Sequence, residues 1–287
     1  MKTILEQMVE AYQPKNNEEK RNVVKEVMQE ITLCALSKAG FFDVVAFYGG
    51  TALRTFYGLD RFSEDLDFSL MMKNKDFDLS TYVPSLKRIV QSFGLNVEVE
   101  IKHKTLDSAI QSAFLKGDTI EQFLLFYPND LVTGINKNEK VKIKFEIDNM
   151  PASLATYETK YRLLPMPYSI KLYDEASLFS GKIHAVICRS WKSRVKGRDL
   201  YDYVFYLTRN TKFNLDHLRE KLIESHYISQ EDKFDVDFVK ALLIARFNEI
   251  DFNDAKKDVL PFIKDTSILD IWSKEFFIAI TSKLNNR

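Results

Sequence analysis

The chain has 287 residues, 45% hydrophobic and 13% aromatic, enough for one large domain or two ordinary ones around a packed core. Forty-one basic and 41 acidic residues cancel, which argues against non-specific DNA binding as the main function and leaves room for a local basic channel. Two cysteines without a CxxC pair, four histidines without metal spacing, no apolar run of membrane-spanning length and no apolar core in Met1–Glu10 make a reduced, cytoplasmic protein without a membrane partner the expectation.

Only nine glycines and seven prolines interrupt the chain, so long helices are expected. Residues 17–38 place Val23, Val24, Val27, Met28, Ile31, Leu33, Cys34 and Leu36 near helical period, with Gly40 as the stop. Phe41–Tyr48 reads as a short strand running into Gly49-Gly50, and Thr51–Tyr57 as one or two helical turns. Leu66–Met71 is expected as a strand, Leu79–Phe93 as a helix ended by Gly94, Leu95–Ile101 as a strand and Ala109–Leu115 as another. Val141–Met150 alternates cleanly, with Val141, Ile143, Phe145 and Ile147 on one face and Lys142, Lys144, Glu146 and Asp148 on the other. After Pro165-Met166-Pro167 the pattern turns helical, over 174–190, 198–208, 215–225, 235–248 and 270–283. A boundary near 168 therefore separates an α/β module, 1–168, from a helical module, 169–287. The apolar stripe Phe276, Phe277, Ile280 is expected in the core of the latter.

The chemistry concentrates in two stretches. Asp65 and Asp67 flank Leu66, so a strand would turn both carboxylates to one side and Leu66 and Phe68 into the core. Two such carboxylates repel unless a cation sits between them, and Mg²⁺, which takes oxygen ligands and bridges triphosphate oxygens, is the natural occupant. Gly49-Gly50, the chain's only Gly-Gly pair, lies just upstream and opens a helix at Thr51 whose free N–H groups could meet an anion, with Arg54 one turn in. Ser63, two residues before Asp65, would lie near the same nucleotide, and a phosphate on it would repel a triphosphate. The second stretch runs from Ala176 to Arg198 without one acidic residue, and holds Lys182, His184, Arg189, Lys192, Arg194, Lys196 and Arg198. On a helix Lys182 and Arg189, seven residues apart, share a face and could neutralise β- and γ-phosphates.

Tyr48-Gly49-Gly50-Thr51-Ala52-Leu53-Arg54 followed by Arg61-Phe62-Ser63-Glu64-Asp65-Leu66-Asp67-Phe68 resembles the AbiEii-type nucleotidyltransferase toxins of the DNA polymerase β-like superfamily. The likeness reaches to about residue 208. It implies an α+β fold: a polymerase β-like module, a mixed sheet flanked by helices, followed by a helical module. It also implies a third carboxylate on a later strand, for which Glu146 is the choice and Asp148 the runner-up. Glu stands where many members carry Asp. Lys196-Gly197-Arg198-Asp199-Leu200-Tyr201-Asp202 matches the family's Arg-Asp-x-x-Asp helix start. By that resemblance Lys182 contacts phosphate, Asp199 orients the lysine or the nucleotide, and Asp202 could be structural; the plainer reading, in which Asp199 caps the helix and Asp202 lies on the surface, is preferred for Asp202.

The expectation is a metal-dependent nucleotidyl transfer. Two Mg²⁺ ions on Asp65, Asp67 and Glu146 would position an NTP and an acceptor hydroxyl, which attacks the α-phosphorus as pyrophosphate leaves. Gly49, Gly50, Thr51, Arg54, Ser63, Lys182 and Arg189 would hold the nucleotide. The resemblance further implies a toxin paired with a cognate antitoxin, with the 3′ end of transfer RNA as an acceptor. A GTP-binding module acting without turnover and an antibiotic-modifying nucleotidyltransferase are the alternatives.

Overall fold

The computed structural model describes residues 3–101, 119–127, 141–189 and 195–287. The strand expected over Ala109–Leu115, and Trp191, Lys192 and Arg194 of the basic stretch, lie outside them. By internal packing the chain forms two compact units, one of residues 1–52, 64–151 and 158–172, the other of 53–63, 152–157 and 173–287. The second unit thus takes two short segments from within the first module's sequence as well as the C-terminal run.

The first unit opens with α1 (Ile4–Ala11) and α2 (Asn17–Lys38). Asn16 caps α2 by accepting from the Glu19 N–H, and Glu18 and Glu19 sit in its first turn, where acidic side chains complement the helix dipole. Gly40, at φ +76°, ends it as expected from the sequence. The sheet then builds from β1 (Val45–Tyr48) and β2 (Leu66–Leu70), with α3 (Gly49–Tyr57) between them. After α4 (Val83–Ser92) come β3 (Asn96–Ile101), β4 (Thr119–Tyr127), β5 (Val141–Asp148), β6 (Tyr157–Arg162) and β7 (Tyr168–Tyr173).

These seven strands form one mixed sheet in the order β3-β4-β5-β2-β1-β7-β6. β2 pairs antiparallel with β1 and parallel with β5, and β1 pairs parallel with β7. β2 and β5 are far apart in sequence and adjacent in space. The buried side of the central strands is aromatic: Phe68 lies 4.6 Å from Phe145, 5.1 Å from Phe47 and 5.2 Å from Phe41, ring centre to ring centre. Val24, Val27, Ile31 and Cys34 of α2 are fully buried. The α+β architecture is the expected one. β4, β6 and β7 were not expected: the sheet continues past Pro165-Met166-Pro167, because Tyr168, Ile170 and Leu172 alternate inward with Ser169 outward.

The second unit is helical: α5 (Glu175–Cys188), α6 (Gly197–Thr208), α7 (Leu215–Glu224), α8 (Val236–Phe247), α9 (Phe252–Val259) and α10 (Lys274–Thr281). Its core is a chain of rings. Phe179 stacks on Tyr206 at 4.5 Å, and Phe247 lies 5.7 Å from Tyr203 and 5.3 Å from Phe277. Phe277 is fully buried, but Phe276 and Ile280 are not core residues in the same sense. They line a cavity of about 450 Å³ with Tyr201, Phe205, Ile271 and Trp272. No helix among the described residues is long and apolar enough to cross a membrane.

Candidate active site

In the first unit, Leu66 and Phe68 are fully buried while Asp65 and Asp67 are half-exposed, as alternation along a strand requires. Asp67 pairs in register with Glu146 of parallel strand β5, and Asp148 lies one step further along, beside Ser69. Residues in register on neighbouring strands share a face about 4.8 Å apart, so Asp67 and Glu146 stand side by side. Glu146 is only 8% exposed, and Lys144, two residues back on the same face, meets it at 2.7 Å. The Asp148 carboxylate accepts from the Met150 N–H at 3.0 Å.

Gly49 explains how Asp67 fits. Its φ is +83°, and a Cβ there would lie 2.3 Å from Asp67 Oδ2. Both the backbone and the space therefore demand glycine: the residue opening α3 makes room for a carboxylate. Thr51 is 1% exposed and donates its hydroxyl to the Asp65 carbonyl at 2.5 Å, which ties α3 to the segment carrying the acidic pair. Carboxylate oxygens are the donors that suit Mg²⁺. As the side chains stand, no three acidic, histidine or cysteine groups among the described residues converge closely enough to hold a metal ion.

The remaining expected residues fall in the second unit. Arg54 Nη1 donates to the carbonyls of Leu59, Asp60 and Arg61, at 3.3, 2.8 and 3.1 Å, and so shapes that loop. Ser63 is buried, at 7% exposure, so a kinase could not reach its hydroxyl in this conformation.

Lys182, Arg189, Asp199 and Asp202 come together with one residue the sequence did not single out, Arg61. Lys182 Nζ meets Asp199 Oδ1 at 2.6 Å and Asp202 Oδ2 at 2.8 Å. Arg189, just past the end of α5, meets Asp199 Oδ2 at 2.6 Å. Arg61 grips Asp202 with both arms, Nε to Oδ1 at 2.6 Å and Nη2 to Oδ2 at 2.7 Å. Asp202 is therefore no surface residue: it is fully buried, with two cationic partners. Burial alone would raise the Asp199 carboxyl, but Lys182 and Arg189 outweigh it and pull it down to about 2. Asp202 is likewise held low against burial by Arg61 and Lys182. The helix start is fixed by Gly197, where a Cβ would lie 1.8 Å from the Ala255 carbonyl oxygen of α9. A signal for Arg61 existed in the sequence, an arginine four residues before Asp65, but its partner lies 141 residues away.

The mixed sheet thus sets Asp67 beside Glu146, and the helical unit carries a buried lysine–aspartate network. The chain belongs to the AbiEii family of nucleotidyl transferase toxins of type IV toxin–antitoxin systems, whose family model matches residues 31–279. Among solved structures it is similar to the nucleotidyltransferase toxin MenT4 from Mycobacterium tuberculosis H37Rv, at 14% identity and a TM-score of 0.53, covering 98% of this chain and 89% of that one. It is also similar to a protein described as a putative nucleotidyltransferase from H. pylori, at 20% identity and a TM-score of 0.45, covering 92% of this chain and 97% of that one. No curated protein matches.

Proposed function

We propose that this toxin transfers a nucleoside monophosphate from an NTP to the 3′ end of transfer RNA, releasing pyrophosphate, with Mg²⁺ held by Asp65, Asp67 and Glu146. The observation that carries the reading is the register of Asp67 against Glu146 on parallel strands, with a glycine clearing the space above Asp67. It favours Glu146 over Asp148 as the third carboxylate. The bound metal would supply Lewis-acid polarisation of the phosphoryl oxygens and a more acidic acceptor hydroxyl.

The chain's own groups do the rest. Glu146, on the acceptor side, takes up the hydroxyl proton once Lys144 has moved off it. Lys182 and Arg189 carry the charge of the triphosphate and of the departing pyrophosphate, each already oriented by Asp199. Gly49, Gly50 and Thr51 supply the start of α3 for backbone contact with the nucleotide, whereas Arg54 acts through the loop carbonyls of residues 59–61 that it holds and Ser63 through the segment it belongs to.

The test is transfer from each labelled NTP, with Mg²⁺, to purified transfer RNA, alongside total RNA and an aminoglycoside panel. Label on transfer RNA that disappears with Asp65→Ala/Asp67→Ala supports the reading. Label on the aminoglycosides alone would reassign the acceptor, and equal labelling by the double variant would end the proposal.

A further inference from the structure

Among the described residues, the ion network of the second unit holds three cations, Arg61, Lys182 and Arg189, against two carboxylates, Asp199 and Asp202. One positive charge is left over. Without Arg61 the count is two against two, and nothing is left for an anionic ligand. Arg61 is also the most buried cation of the set, at 3% side-chain exposure against 15% for Lys182 and 43% for Arg189. It therefore cannot be the group that meets a ligand. Its charge reaches the surface only by relieving Asp202, which is then free to steady Lys182 without neutralising it.

The surroundings keep Arg61 in place. Its Nη1 donates to the Phe62 carbonyl at 3.0 Å, Arg54 gathers the carbonyls of residues 59–61, and the Tyr201 hydroxyl donates to Asp60 at 2.6 Å. The Phe62 N–H reaches the Phe262 carbonyl at 2.7 Å. A planar guanidinium meeting both oxygens of one carboxylate fixes direction as well as charge, which an ammonium would not. Lys182 then uses two ammonium hydrogens on Asp199 and Asp202 and keeps one without a partner among the described residues.

We propose that Arg61 is the positioning residue of the triphosphate site, acting through Asp202 on Lys182 and supplying the surplus charge with which Lys182 and Arg189 hold polyphosphate. This deepens the proposed function and rests on its assignment of Lys182 and Arg189 to the triphosphate. The prediction is a ladder of net charge: one for the intact network, zero for Arg61→Met, two for Asp202→Asn, and one again for Arg61→Met/Asp202→Asn.

Inorganic tripolyphosphate, which has no base and undergoes no transfer, reads that ladder directly by titration calorimetry on the full chain. Arg61→Met should weaken binding about tenfold or more, the loss of one charge-assisted contact. Asp202→Asn should bind at least as tightly as the intact protein, and the double variant within about twofold of it by the same charge argument. A scaffold role alone predicts weaker binding by Asp202→Asn as well as by Arg61→Met, since both single changes break the same buried pair. If Arg61→Met does not fold, the comparison moves to the Asp202→Asn background, where removing Arg61 leaves no unpaired carboxylate and should still weaken binding. Equal binding by all variants, or weakening that follows thermal stability instead of charge, overturns the role of Arg61. Absence of binding by the intact protein overturns the triphosphate reading itself.

Discussion

The acidic pairs of the two units differ in burial. In the first, Asp67 stands half-exposed on β2 and Asp65 half-exposed just before it, with buried Leu66 and Phe68 between and beside them. In the second, Asp199 and Asp202 are almost wholly buried and already neutralised by Lys182, Arg189 and Arg61. Half-exposed carboxylates can be exchanged for amides at little cost in stability and so are available for chemistry. A buried ionic network is part of the fold, and removing one member leaves the others uncompensated. Activity and stability should therefore separate along this line.

The sharpest way to break the comparison is Asp67→Asn. If Asp67 holds the metal as proposed, losing its carboxylate should lower kcat by about 10³-fold, some 4 kcal/mol of transition-state stabilisation, while the melting temperature moves by no more than about 2 °C. Asp202→Ala should do the reverse in kind. Leaving Arg61 and Lys182 buried without their shared carboxylate costs roughly 3–5 kcal/mol, a fall of about 10 °C or more in melting temperature for a chain of this size. A melt of Asp67→Asn that falls as far as that of Asp202→Ala would erase the distinction.

The difference also governs what the sequence reveals. The first site is written locally in part: Gly49-Gly50 and Asp65-Leu66-Asp67 lie within twenty residues, and the family resemblance calls for a third carboxylate on a later strand, where the alternation of β5 puts Glu146 and Asp148 on one face. What alternation could not supply is register, and it is the pairing of β2 with β5 that sets Glu146, not Asp148, opposite Asp67. The second site is non-local. Lys182 falls in a basic stretch that stands out in a neutral chain, and Asp199 directly follows it, but Arg61 and Asp202 become partners only through tertiary folding, so the sequence pattern places Asp202 on the surface. β7 was readable by its period of two and was obscured by the prolines before it, which resemble a domain boundary.

Two glycines sharpen the comparison at smaller scale. Gly49→Ala and Gly197→Ala make the same replacement against different neighbours. At Gly49 the new methyl would meet the flexible end of Asp67, 2.3 Å away, at a positive φ. The carboxylate can turn aside, so the cost to stability is about 1–2 kcal/mol and the larger effect is a loss of activity as Asp67 leaves its place. At Gly197 the methyl would meet the Ala255 backbone at 1.8 Å, which cannot turn. There the helices must separate, at roughly 2–4 kcal/mol. Parallel melts and transfer assays on the two variants check this, with Gly49→Ala the less active and Gly197→Ala the less stable.

Over the single pH unit from about 6.5 to 5.5, the smallest expected effect is acid sensitivity of the second unit. His217 is 1% exposed, and burial, aided by Lys221, pushes its pKa down to about 4. Its Nδ1 lies 2.7 Å from the Ser153 carbonyl and so carries the proton, while Nε2 is buried without a hydrogen-bond partner among the described residues. The ring is therefore neutral in the fold. As pH falls below about 6.5, the unfolded chain gains a proton that the folded chain refuses, so stability is lost steadily from there down to about 4, by ~1.4 kcal/mol per pH unit. His184, pushed down to about 3 by burial, adds to the same slope. The carboxylates of the network act elsewhere: Asp199, held near 2, gives up its contribution only below about pH 3.9. Trp272 is a reporter for this unit, being 3% exposed beside Phe277, and a Trp191→Phe variant leaves it as the only tryptophan. Its denaturant midpoint should fall between pH 6.5 and 5.5, and His217→Gln should flatten that fall. A midpoint independent of pH across that window would mean that the histidine is protonated in place.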